Sequence, residues 1–128
     1  MKKALVIEDN EDSMELITFI LEQNGFTAIR AETGKKGIEL ALKEKPDFIL
    51  LDIQLPDMDG IEVLKAIRKS HITAQIPVIS VTSYAMSGDE ERLIENGCNG
   101  YIEKPIDPDT IISEINRLLE IGHEDIDR

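Results

Sequence analysis

Apolar residues follow two rhythms along the chain. Short aliphatic runs of strand length alternate with longer stretches at helical spacing. Leu5-Val6-Ile7 is the first run, and it breaks off into acidic residues. Leu16, Ile17, Ile20 and Leu21 predict one face of a helix, which Asn24-Gly25 stops. Met14 and Phe19 fall off that face and are candidates for either a docking surface or partial burial. Thr27 to Ala31 predicts a weaker, alternating strand at a sheet edge. Gly37 to Leu42 belongs to a second helix, closed by Lys45-Pro46-Asp47. Phe48-Ile49-Leu50-Leu51 is continuously apolar and ends at Asp52. Leu55-Pro56-Asp57-Met58-Asp59-Gly60 is rich in turn formers and predicts a loop.

Ile61, Val63, Leu64 and Ile67 mark a third helix, and Pro77 to Thr82 a fourth strand. A fourth helix is expected from about Gly88 to Asn96, stopping at Gly97. Gly100 to Glu103 is a short fifth strand. Pro108 and Asp109 open a last helix carrying Ile111, Ile112, Ile115, Leu118 and Leu119. The mostly polar residues after Leu119 read as a frayed tail, so the expected domain is 1–120 with a tail over 121–128. Strands and helices in strict alternation, with central strands apolar throughout, predict an α/β fold: a doubly wound, five-stranded parallel sheet with five helices. Such sheets bind ligands beyond the carboxyl ends of their strands.

A length of 128 residues fits one domain, and 41% hydrophobic with 31% charged residues fits a globular chain. Asp and Glu total 26 against 14 Lys and Arg, a formal net charge of -12. That balance argues against nucleic acid and against an anionic membrane surface as partners. No apolar run approaches the roughly 18 residues of a membrane span. Lys2 and Lys3 precede only Ala4-Leu5-Val6-Ile7, too short for a signal peptide. The single cysteine, Cys98, fits a reducing, cytoplasmic setting and reads as a small core residue. His71 and His123 read as surface residues, and Tyr84 as either a site wall or surface cover.

The chemistry gathers at the strand ends. Glu8 and Asp9 follow the first strand, Asp52 ends the third, Thr82 closes the fourth and Lys104 follows the fifth. In a parallel sheet these ends share one edge. Converging carboxylates raise one another's pKa unless a cation sits among them. Hard oxygen ligands with open positions suit Mg²⁺, and a nearby ammonium can pair with a phosphate oxygen. The set suggests a metal-assisted phosphoryl site with a carboxylate nucleophile.

In this order the residues resemble the receiver domain of two-component response regulators. The resemblance is carried by Glu8-Asp9, by Asp52 through Gly60, by Val81-Thr82-Ser83-Tyr84-Ala85 and by Gly100 through Pro105, and spans about Lys3 to Leu119. Ala85 to Glu90 is similar to single-domain regulators of the DivK type, and also to receivers within hybrid sensor kinases; the chain as a whole resembles the stand-alone, DivK-like or CheY-like type. The resemblance implies a flavodoxin-like strand order, 2-1-3-4-5. It implies that Asp52 is the phosphoacceptor and that Asp9, Glu8 (directly or through water), Asp52 and the backbone carbonyl of Gln54 hold Mg²⁺, with Mn²⁺ a possible substitute. Lys104 would pair with the phosphoryl group or Asp52. Thr82 would bond a phosphoryl oxygen, and Tyr101 would change rotamer with it. Lys104-Pro105 would be cis, which composition alone does not favour. Glu8 replaces an Asp often found there, and Ser83 stands where a small Ala is usual.

The implied partners are a histidine kinase or a histidine phosphotransfer protein as donor, and a downstream protein read through the fourth helix, fifth strand and fifth helix. The donor is expected to dock on Asn10, Ser13 and Met14. The tail after Leu119 leaves no room within this sequence for an output domain. The chain is thus expected to be a phosphoacceptor, not an enzyme, with excision from a hybrid sensor histidine kinase or a larger regulator as the alternative origin. A phosphohydrolase of the haloacid dehalogenase type needs a second Asp two residues after the nucleophile, and Gln54 stands there. A flavodoxin-like carrier or nucleotide binder needs a Gly- or Thr-rich phosphate loop, where this chain is acidic. A receiver that folds but is never phosphorylated would not need the intact acid, Thr and Lys set.

Overall fold

The computed structural model describes residues 2–83 and 87–126, with side-chain environments outside 87–90 and 121–126. Its elements run β1 (Lys3–Ile7), α1 (Glu11–Gln23), β2 (Thr27–Ala31), α2 (Gly34–Glu44), β3 (Phe48–Asp52), α3 (Gly60–Lys69), β4 (Val78–Thr82), α4 (Ser87–Glu95), β5 (Gly100–Glu103) and α5 (Ile111–Ile126). The sheet is five-stranded in the order β2-β1-β3-β4-β5, and every pairing is parallel. The doubly wound fold and its strand order are those expected.

Strand pleating divides the core into two layers. Ala4, Val6, Phe48, Leu50, Ile79 and Val81 face α1 and α5, where Ile17, Leu21, Ile111 and Ile115 meet them. Leu5, Ile7, Ile49, Leu51 and Val78 face the opposite layer, with Val63, Leu64, Ile67 and Leu93. β3 and β4 are buried along their whole length, while β2 at the edge is only partly covered. Both layers hold the strands in place, so the loops at their carboxyl ends are displayed from a rigid frame.

Local signals account for the helix starts. Asn10, Thr33 and Asp59 each occupy an N-cap, accepting a backbone N–H from Ser13, Lys36 and Ile61 respectively. Gly25 and Gly97 sit at φ +86 and +103, ending α1 and α4 as the sequence implies. At Gly37 a Cβ would lie 2.4 Å from Ile7 Cδ1, so Ile7 would have to shift to admit one. The close approach seats α2 directly on β1, one residue before Glu8. At the opposite end of the sheet, the half-buried Arg68 guanidinium donates to the carbonyls of Gly97, Thr73, Ala74 and Ile76 and to Asn99 Oδ1.

α2 starts at Gly34, capped by Thr33, and contains the Gly37 to Leu42 stretch expected to be helical. Other boundaries differ from expectation. The Pro108 region is a turn, and α5 begins at Ile111. α5 then runs to Ile126, through most of the segment expected to fray. Polar residues after Leu119 do not end the helix, because charged side chains are no helix breakers. The buried stripe of α1 is Met14, Ile17, Thr18, Ile20 and Leu21. Leu16, expected on that stripe, is 37% exposed. Thr18 takes its place because its hydroxyl has partners: it donates to the Met14 carbonyl at 2.7 Å and accepts from Arg30 Nη2 at 2.8 Å.

Candidate functional site

The frame brings Glu8, Asp9, Asp52, Thr82 and Lys104 to one edge of the sheet. Ile7 pairs with Leu51 across β1 and β3, so Glu8 and Asp52 leave adjacent strands at the same level. Asp52 pairs with Val81 across β3 and β4, which puts Thr82 one residue further along the next strand. Thr82 pairs with Glu103, and its carbonyl accepts the Lys104 N–H at 2.8 Å. Lys104-Pro105 is cis, as the resemblance implied.

Glu8 is 1% exposed and Asp52 6%, while Asp9 is exposed beside them. Ligand oxygens from these three carboxylates lie within 4.8 Å of one another. The half-buried Lys104 ammonium lies 2.7 Å from Glu8 Oε1 and 3.5 Å from Asp52 Oδ2. The Glu8 contact is a close, charge-assisted ion pair, and it engages the buried Oε1. Glu8 Oε2 accepts the Asn10 N–H at 3.3 Å, and Asp52 Oδ1 accepts the Gln54 N–H at 3.0 Å.

Two buried carboxylates this close share a strained ionisation. Burial pushes the Asp52 pKa up to about 7, helped by hydrogen bonding to Glu8 and by its negative charge, against the Gln54 N–H and Lys104. Burial also opposes ionisation of Glu8, but bonding to Asp52 and Lys104 and the Asn10 N–H outweighs it, leaving Glu8 below the usual carboxylate range. Lys104 is held above its ordinary value: burial works against its charge, and the two carboxylates overcome it. A divalent cation suits this donor set, since three carboxylates offer it hard oxygen ligands within 4.8 Å of one another and it would relieve their repulsion.

Tyr101 pairs with Ser80 and is half-buried, and strand alternation places it on the same sheet face as Thr82. It borders a cavity of about 470 Å³ between β5 and α5, lined also by Glu103, Asp107, Glu114, Arg117 and Leu118. Cys98 is buried, with Sγ 2.7 Å from the Gly100 carbonyl oxygen and 3.0 Å from Ser80 Oγ, a packed core thiol as expected. His71 is exposed. The surroundings of Tyr84, Ala85, Met86 and His123 lie outside the described residues.

One expected docking residue is corrected. Met14 is 4% exposed and packs in the core with Ile17 and Leu21, so it presents no surface to a donor. Positions 14, 17, 18 and 21 form one stripe, and that stripe faces the sheet. Phe19, the other residue singled out on α1, is 62% exposed. Asn10 is exposed and Ser13 partly so, with Asn10 Oδ1 engaged by the Ser13 N–H. Sequence reasoning passed over Asp57, whose carboxylate caps α2 from the β3–α3 loop. Its partners, Gly34 and Lys35, lie 23 and 22 residues away, beyond any local signal.

Comparison with known proteins matches this architecture. Residues 4–116 fit the family model of the response regulator receiver domain. The chain is 42% identical over 118 residues to the polar-differentiation response regulator DivK of Brucella anthropi, covering 92% of this chain and 96% of that one. The DivK of Brucella ovis shows the same identity and coverage. Among solved structures, the CheY-like receiver domain protein of Methanospirillum hungatei superposes with a TM-score of 0.88 at 28% identity, covering 98% of each chain. The chemotaxis protein CheY4 of Vibrio cholerae shares the fold at a TM-score of 0.88, with 24% identity and coverage of 92% and 98%. With its five-stranded fold and its converging acids, the chain belongs to the response regulator receiver domain family.

Proposed function

We propose that the domain accepts a phosphoryl group on Asp52 and signals through the conformation this imposes. The observation that carries the reading is the buried Asp52 carboxylate set between the Glu8–Asp9 pair and the Lys104 ammonium. Glu8, Asp9, Asp52 and the backbone carbonyl of Gln54 would hold Mg²⁺, or Mn²⁺ in its place. When bound, the ion would offset the charge of the carboxylates and of the incoming phosphoryl oxygens.

The Gln54 N–H occupies Asp52 Oδ1, which leaves Oδ2, the oxygen nearer Lys104, as the attacking atom. Its lone pair forms the O–P bond as the N–P bond of a phosphohistidine breaks, and the bonding electrons leave with the imidazole. Lys104 then turns from Glu8 toward the phosphoryl group. Thr82, at the end of the adjacent strand, donates to a phosphoryl oxygen, and Tyr101 on the same sheet face follows its movement. The donor is a histidine kinase or a histidine phosphotransfer protein, docking over Asn10, Ser13 and the exposed Phe19 on α1. A protein target reads the α4–β5–α5 face. The domain acts in the cytoplasm as a phosphoacceptor, not as an enzyme with steady turnover. Among the described residues no helix is long and apolar enough to cross a membrane.

Incubation with acetyl phosphate and Mg²⁺, followed by intact mass and peptide mapping, tests the reading. Wild type gains one phosphoryl group on Asp52, and Asp52→Asn gains none while remaining folded. Labelling that persists in the variant or under excess chelator refutes it.

A further inference from the structure

We propose that Asp57 is a positioning residue that sets the β3–α3 loop against the acidic pocket by latching it to the start of α2. The inference rests on the phosphoacceptor reading above and extends it to a residue outside the pocket. Asp57 Oδ1 accepts the Gly34 N–H at 2.8 Å, and Oδ2 accepts the Lys35 N–H at 3.0 Å. These are two of the amides that a helix start leaves without intrahelical partners. Both bonds are charge-assisted, and together they hold the Asp57 carboxyl below its usual range.

Packing supports the same latch independently. A Cβ on Gly34 would lie 2.5 Å from Met58 Cγ and 2.8 Å from Val63 Cγ2, so the loop and α3 lie directly against the helix start. The loop is closed at its base by a bridge between Gln54 and Asp59 and by the Gly60 N–H bonding the Ile53 carbonyl at 3.0 Å. It therefore moves as a unit, and Asp57 ties that unit down. At its near end, Gln54 donates to Asp52 Oδ1. At the far end of the linkage, α2 rests on Ile7 through Gly37, immediately before Glu8. Asp57 thus links the strand that carries Glu8 and Asp9 to the loop that orients Asp52. Without the latch, the loop keeps its base but loses its register against β1.

Titration of the full chain with Mg²⁺ alone, followed by amide chemical shifts of residues 8, 9 and 52, reads the effect without phosphorylation. Asp57→Ala should weaken Mg²⁺ affinity about tenfold, the scale of losses from residues supporting a metal site. Asp57→Asn keeps an acceptor for one of the two α2 amides, sets an NH2 donor against the other and removes the charge, and should lose less affinity than Asp57→Ala. Hydrogen exchange at Gly34 and Lys35 should quicken in the same order. Faster exchange with unchanged Mg²⁺ affinity in Asp57→Ala would make the latch a local brace only and overturn the proposal. Equal weakening in both variants, with exchange at Gly34 and Lys35 slower in Asp57→Asn than in Asp57→Ala, would assign the effect to charge and overturn it as well. A wild type whose carboxylates take no Mg²⁺ would remove the parent reading and this one with it.

Discussion

Asp52 is ionised in the folded protein only against opposition, and that has a measurable sign. Its pKa rises from 3.8 to about 7 on folding, so its contribution to stability is full below pH 4 and is lost as pH rises through 7. Removing the charge should therefore stabilise the metal-free domain at alkaline pH. Denaturant unfolding at pH 8 without Mg²⁺ should show Asp52→Asn more stable than wild type by about 1–3 kcal/mol, with the gap closing toward pH 5. A gap that stays constant with pH would place the effect elsewhere. The identities of these pocket residues were legible in the sequence because each ends a strand. The preference of Lys104 for Glu8 over Asp52 was not, since it depends on sub-ångström placement of side chains from different strands.

At the scale of elements, α1 shows where pattern reading fails. Apolar character alone put Leu16 inside and left Met14 undecided, whereas Thr18 is fully buried by satisfying its hydroxyl. The two faces make opposite predictions. Met14→Ala should cost about 2–5 kcal/mol in unfolding experiments, as a core truncation does. Phe19→Lys should leave stability nearly unchanged and acetyl phosphate labelling intact, while slowing transfer from the cognate donor. Equal loss with both donors would remove α1 from the docking surface. β4 and β5 make a further prediction. Thr82→Ala should still accept phosphate, but the chemical-shift changes that follow across residues 91–119 should shrink relative to wild type. Changes of wild-type size would mean that Thr82 does not couple the site to that face.

For the whole molecule, the acidic pocket is a cost that a bound cation removes. A ligand specific to the folded state stabilises it by mass action. The melting temperature should rise with Mg²⁺ in wild type and much less in Asp9→Asn, whose exposed side chain is expendable to the core. Equal shifts would move the metal site elsewhere. The alternation of elements was enough to give the fold, because a parallel sheet covered on both faces leaves few arrangements. The long-range ties, Asp57 on α2 and Arg68 on two loops, were invisible because each joins residues that no periodicity connects. Arg68 has a mechanical consequence. By gripping Gly97 and Asn99 it fixes one end of α4, whose nine residues span about 13 Å. A helix pinned at one end is a lever with a fulcrum. A tilt of about ten degrees would sweep its first turn through about 2 Å while hardly displacing Gly97, so any rearrangement there should be graded along the helix, largest beside the strand end that carries Thr82.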